Sequence, residues 1–162
     1  MLRKIGMYAV LSLIVVALTA SVALAARTGA TGNAQFKSVS ITDNDDGTVN
    51  ASGLITGLGS DLVTLQLITS GTAFVDCTNK GGQLVEAQAQ TADASTTTAP
   101  QRPENGRLVF DFDSTAPTTL TSNPCPNGNW TPTITSIDIT SATLNVIQNG
   151  ETVLTYGPLN PQ

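Results

Sequence analysis

Apolar and polar residues alternate along most of this chain with the period of two that a half-buried strand requires. Val63, Leu65 and Leu67 share one face, with Thr64 and Gln66 opposite. Val49, Ala51, Gly53 and Ile55 oppose Asn50 and Ser52 in the same way, and Leu108, Phe110 and Phe112 oppose Val109, Asp111 and Asp113. In Phe36-Lys37-Ser38-Val39-Ser40-Ile41-Thr42 the interleaving is imperfect, and Asp43-Asn44-Asp45-Asp46-Gly47 then breaks the run with turn chemistry, which predicts a hairpin. Further turns are expected at Gly57-Leu58-Gly59-Ser60 and Asn79-Lys80-Gly81-Gly82.

The remaining pattern is weaker. Residues 72–77 read as a short separate strand and residues 84–90 as another of poorer pattern. Residues 91–106 lack any period and are rich in turn formers, which predicts a mobile loop. Pro117, Pro124 and Pro126 exclude a central strand before Trp130, after which residues 133–140 and 142–147 resume β-branched character. The dipeptide Asn149-Gly150 predicts a two-residue hairpin that pairs Val146 with Val153, Leu144 with Thr155 and Asn145 with Leu154.

Eight or nine short strands with no helical period predict an all-β domain. The expected fold is a two-sheet antiparallel β-sandwich, immunoglobulin-like, held by one disulfide, with a closed barrel as the alternative. Its core would draw on Val, Ile, Leu and Ala with the aromatic anchors Phe36, Phe74, Phe110, Phe112, Trp130 and Tyr156.

The amino terminus changes the compartment. Met1-Leu2-Arg3-Lys4 is basic, residues 5–24 are almost wholly apolar, and Ala23-Leu24-Ala25 supplies a small-x-small cleavage site. Residues 1–25 therefore read as a secretory signal, with an uncleaved membrane anchor as the alternative reading of the same run. Residues 26–33 read as a flexible leader and 34–162 as one sandwich domain. After cleavage the expected location is extracellular or the cell envelope, with no further membrane association. In that compartment Cys77 and Cys125, the two cysteines of the chain, are expected to be joined.

Charge then excludes a partner class. The chain has 7 basic and 12 acidic residues, and losing Arg3 and Lys4 with the signal leaves 5 against 12, a formal charge of -7. Arg27, Lys37, Lys80, Arg102 and Arg107 are scattered along the sequence with no aromatic run beside them, so no nucleic-acid partner is expected.

Candidate chemistry is sparse. The chain has no His, which removes the usual general base, the Ser-His-Asp triad and imidazole-ligated zinc. Asp111 and Asp113 would project from one face of a strand roughly 7 Å apart, within the range of glycosidase carboxylate pairs; the plainer reading is a solvent-facing strand surface. Asp43, Asp45 and Asp46 have the oxygen-rich composition of a calcium loop, but the closing Glu is missing and a hairpin turn accounts for them. Trp130, five residues after Cys125, is expected to anchor the core beside the disulfide, or, if exposed, to stack on a sugar ring or a partner. Asn50-Ala51-Ser52 and Asn129-Trp130-Thr131 match the N-glycosylation acceptor pattern.

Three segments, 51–59, 77–82 and 125–130, resemble those of a group of small exported bacterial all-β proteins to which no activity is attached. The resemblance implies export and β architecture, and no function comes with it. Size, signal, one disulfide and β content also resemble chaperone-usher pilins, which would make residues 27–41 a donor strand. Pilins, however, place their cysteines near the first strands, and residues 156–162 lack the closing pilin strand pattern.

The expected function is thus a non-enzymatic secreted or envelope-associated binding or structural module with no cofactor. Its partner would be a cell-wall or extracellular glycan, or another copy of itself. A fibre or appendage subunit assembling by strand addition is the first alternative, and a carboxylate-based glycan hydrolase the second.

Overall fold

A computed structural model describes residues 33–118, 120 and 122–161, so the expected signal (1–25) and the expected leader up to residue 32 lie outside the described residues. Eight strands follow: β1 (Gln35–Asp43), β2 (Val49–Thr56), β3 (Val63–Asn79), β4 (Leu84–Glu86), β5 (Gln90–Thr97), β6 (Arg107–Asp113), β7 (Trp130–Gln148) and β8 (Glu151–Leu159). They make two antiparallel sheets. One has the order β1-β2-β6; in the other, β3 and β7 run side by side, β8 flanks β7, and β4 and β5 share the opposite edge of β3. Among the described residues no helix is long and apolar enough to cross a membrane.

The inner faces of the two sheets meet in one core. Val49, Ala51 and Ile55 of β2 and Leu108 and Phe110 of β6 pack with Val63, Leu65 and Leu67 of β3 and Leu144 and Val146 of β7. Burying these side chains is the main favourable term in the fold, at about 1.5–3 kcal/mol for each large one. Phe36 of β1 meets Tyr156 of β8 edge-on, with ring centroids 5.4 Å apart, which closes one side of the sandwich.

Strands β3 and β7 are much longer than the sheet that faces them. Their outer halves extend past it as an arm whose inner face carries the small cluster Ala73, Val75 and Ala92. Residues 114–118, 120 and 122–129 cover that face as a strap. Ser114 is fixed at one end, where it exchanges hydrogen bonds with Val49 (2.8 Å each), and Cys125 at the other, where it is bonded to Cys77. The disulfide expected from the sequence is present, with Cα atoms 5.7 Å apart.

Four local expectations change. Residues 72–77 are no separate strand: burial alternates without a break from Val63 to Cys77 of β3, and Gly71 lies where a Cβ would come within 2.3 Å of the Asp138 carbonyl oxygen. Residues 91–106 are no structureless loop, because residues up to Thr97 belong to β5 and pair with β3 from Gln66↔Thr97 to Ala73↔Gln90. The inward positions of β5 are Gln90, Ala92, Ala94 and Thr96, too small or polar for the alternation to register as hydrophobic. Residues 133–140 and 142–147 form the single strand β7, and β8 continues to Leu159. Finally, the turn at Asn149-Gly150 forms with both residues at positive φ, but Val146 pairs with Leu154, Asn145 with Thr155 and Leu144 with Tyr156. A bulge after Val146 shifts the register by one, so that the consecutive Val153 and Leu154 are both buried.

Bulges also explain why β7 has 19 residues against 17 in β3. Thr140 and Thr135 are the two extra residues, and each donates its hydroxyl to a β3 carbonyl, Ser70 at 3.2 Å and Phe74 at 3.1 Å. Pro132 is tolerated in β7 because β8 flanks that strand only from Ala142 onward.

Candidate functional site

The strap does not lie flat on the arm. Between them runs an open groove of about 760 Å³, floored by Pro132, Ile134 and Ile137 of β7 and walled by Ala116, Pro117 and Leu120 of the strap. Thr118, Ser122 and Asn123 supply its polar rim. Hydrogen bonds hold the strap along β5: Thr115 N donates to Thr96 Oγ1 at 2.7 Å, the Thr115 and Thr96 hydroxyls are bonded at 3.0 Å, and Ser122 Oγ donates to Gln90 Oε1 at 2.7 Å. An apolar floor with a few fixed hydrogen-bonding groups is the usual composition of a ligand pocket. Among the described residues no charged side chain lines it.

Trp130 starts β7 and shares its inner face with Pro132 and Ile134, opposite Asn79 of β3. It is half-buried and belongs to neither apolar cluster, so its expected role as a core anchor is corrected. The sandwich core ends well before this point of the arm. Phe74, also expected inside, is 43 % exposed, because its neighbours Ala73 and Val75 take the inward positions.

The aspartate turn uses two of its three carboxylates within itself. Asp43 Oδ1 accepts the Asp45 N–H at 2.9 Å, and Asp46 Oδ1 accepts both the backbone N–H and the hydroxyl of Thr48. Those bonds, the Thr48 hydroxyl first, hold the Asp46 carboxyl below the usual carboxylate range. A hollow of about 210 Å³ separates Asp45 and Asp46 from residues 134–137 of β7. Among the described residues no three Cys, Asp or Glu side chains are grouped to hold a metal ion.

Asp111 and Asp113 are exposed on β6, on the face opposite Phe110 and Phe112. Asn50 bridges them, its Nδ2 donating to Asp111 Oδ1 at 2.9 Å and to Asp113 Oδ1 at 3.0 Å, and Asn44 adds a bond of 3.3 Å to Asp113. The Asn50 amide of the first glycosylation motif is therefore already engaged. Asn129 of the second is exposed in a turn.

Cations scattered in the sequence converge in the fold. Lys37 is the bulged residue of β1, and Arg107 opens β6 directly opposite Thr56 of β2. Both line a depression of about 800 Å³ with Asn33, Thr56 and Asn105. A neighbouring one of about 410 Å³ shares Asn105 and Arg107 and adds Arg102 and Glu104. The signal for this site was the dipeptide Asn105-Gly106, the same turn former as Asn149-Gly150; it makes the tight turn that sets Arg107 in place, with mutual backbone bonds between Glu104 and Arg107 of 2.8 and 3.0 Å. The strap groove left no such mark, because its walls come from prolines and isolated apolar residues far apart in the chain.

Against known proteins, the chain matches no family model, no curated protein and no solved structure.

Proposed function

We propose that this is an exported, non-enzymatic binding module that works outside the cell or in its envelope, and that the strap groove is its ligand site. The carrying observation is the groove itself, an apolar trough with a hydroxyl and amide rim, set on β7 under a strap fixed at both ends. An uncharged lining and a half-buried Trp130 two positions from Pro132 on the same face favour a neutral glycan, whose ring faces are apolar and whose edges need hydrogen bonds. The basic and apolar amino terminus and the disulfide support the location.

An immunoglobulin-like sandwich is the architecture proposed for it. Its support is the strand order, with the first, second and sixth strands facing a sheet of the fifth, third, seventh and eighth. The disulfide departs from that pattern, since it joins β3 to the strap and not one sheet to the other.

The test is an array of cell-wall and extracellular glycans, read with and without calcium, beside a broad screen of hydrolase substrates. Binding to neutral glycans that weakens about tenfold in Trp130→Ala and in Leu120→Ser is expected. Turnover that disappears in Asp111→Asn or Asp113→Asn would instead make the protein a hydrolase.

Strand addition has one observation in its favour, the edge of β7 before Ala142 that β8 leaves bare. Pro132 and the bulges at Thr135 and Thr140 blunt that edge, and residues 35–41 of the donor segment already pair with β2. Fibres or a concentration-dependent increase in mass by sedimentation would favour this reading over a monomeric binder.

A further inference from the structure

We infer that the depression holding Lys37 and Arg107 binds an acidic saccharide, a sugar residue bearing a carboxylate, sulfate or phosphate. It lies at the Val63 end of β3, at the far end of that strand from the strap groove, and does not depend on the groove's function.

The first argument is charge. The whole chain is acidic, at -5, yet three of the four Lys and Arg side chains among the described residues gather at two adjoining depressions. Among the described residues no carboxylate lines the larger one. In the smaller, Glu104 stands with Arg102 and Arg107, leaving one positive charge in excess. Arg102 donates to the Ser60 carbonyl at 3.2 Å, and among the described residues neither Lys37 nor Arg107 has an ion-pair partner. An anion bound there would meet two unpaired cations and no opposing lining carboxylate among the described residues, which makes its Coulomb interaction favourable.

The second argument is shape and donor type. A guanidinium presents a planar fork to two oxygens of one oxyanion, while an ammonium contributes a point charge beside it. Asn33 and Asn105 on the same walls offer neutral groups suited to hydroxyls, and a volume of about 800 Å³ exceeds the needs of a bare oxyanion.

Rigidity is the third. The Asn105-Gly106 turn is tied to the sandwich by a bond from Leu58 N to the Gly106 carbonyl at 3.1 Å. Gly57 sits at φ +75, where a Cβ would fall 2.0 Å from the Asn33 carbonyl oxygen, so the wall there is backbone pressed on backbone. A site fixed before binding loses less entropy when its ligand arrives.

Calorimetric titration of the mature protein decides the matter. The probes are trigalacturonate, a sulfated heparin-derived trisaccharide and a glycerol phosphate trimer, with neutral maltotriose and inorganic phosphate as comparisons. At least one acidic probe should bind about tenfold more tightly than maltotriose and inorganic phosphate, and its affinity should fall as salt shortens the range of the attraction. Arg107→Gln and Lys37→Gln should each weaken it about tenfold with an unchanged melting temperature, whereas Trp130→Ala at the far end should leave it intact. The inference is overturned if all three acidic probes fail, if maltotriose or inorganic phosphate binds as well, or if both charge-removing variants bind like the parent.

Discussion

Strand β3 passes through two differently built halves of one molecule. From Val63 to Leu67 it points large side chains into a core closed by the opposite sheet; from Ala73 to Cys77 it points small ones at a strap. Burial alternates equally well in both halves. What differs is the source of stability. Where a second sheet is present, side-chain volume does the work; where it is missing, a covalent link and a few hydrogen bonds take over, and the cover they hold leaves a groove.

Cutting the link should therefore produce the largest effect. The disulfide spans a sequence separation of 48, for which the loss of loop-closure entropy in the unfolded chain contributes about 4 kcal/mol as an upper figure. Cys125→Ser paired with Cys77→Ser should lower stability toward that extent by chemical denaturation. Hydrogen exchange should rise first in the strap, β4 and the outer half of β7, while β2 and β6 stay protected. Uniform loss of protection would mean that the halves do not differ in this way.

Core truncation probes the other half. Leu67→Ala, at a fully buried site between the sheets, should cost about 3 kcal/mol, whereas Val75→Ala on the arm should cost about 1–2 kcal/mol because fewer atoms are removed and the strap can settle onto the gap. Equal losses would show the arm to be as tightly packed as the sandwich. Gly71→Ala, at the junction, falls between them: its Cβ would lie 2.3 Å from the Asp138 oxygen, and separating β3 from β7 there should cost about 2 kcal/mol.

The sandwich half was far more legible in the sequence than the arm. Val63, Leu65 and Leu67 announce an inward face directly. On β7 the inward residues Ile134, Ile137, Ile139, Ala142 and Leu144 are spaced three, two, three and two apart, and each gap of three hides a bulged threonine. The imperfect run in β1 has the same cause, since the bulge at Lys37 lets both Phe36 and Val39 pack against the core. A strict period of two misreads such stretches as breaks, which is why β7 was expected in pieces. The two depressions were harder still. Neither hydrophobicity nor local charge marks residues that meet only after folding, as Lys37 and Arg107 do.

Thr69 sits where the halves join, fully buried, with a hydroxyl that has no hydrogen-bond partner among the described residues. Valine has nearly its shape without the buried oxygen. Thr69→Val should raise stability by about 1 kcal/mol, the lower end of the penalty for an unsatisfied buried polar group. A loss in the denaturation midpoint would mean that the hydroxyl is satisfied in solution, by water entering at the junction.

The smallest effect belongs to the aspartate turn, which approaches β7 where the halves meet: a Cβ on Gly47 would meet the Ile137 side chain at 3.0 Å. Hydrogen bonds from Thr48 lower the Asp46 pKa below its ordinary 3.8. A carboxylate whose pKa is depressed by folding adds stability above its unfolded value and loses that contribution as pH falls through the folded one. The window is therefore acidic, below about pH 4, and because Asp46 is exposed the contribution is small. Thr48→Val removes the hydroxyl donor but keeps the backbone N–H, so NMR titration should find the Asp46 carboxyl moved back toward the ordinary value without reaching it. If the turn couples the halves, the Ile137 methyl signals should shift over the same pH range; a titration of Asp46 that leaves Ile137 unmoved would confine the turn's role to the sandwich.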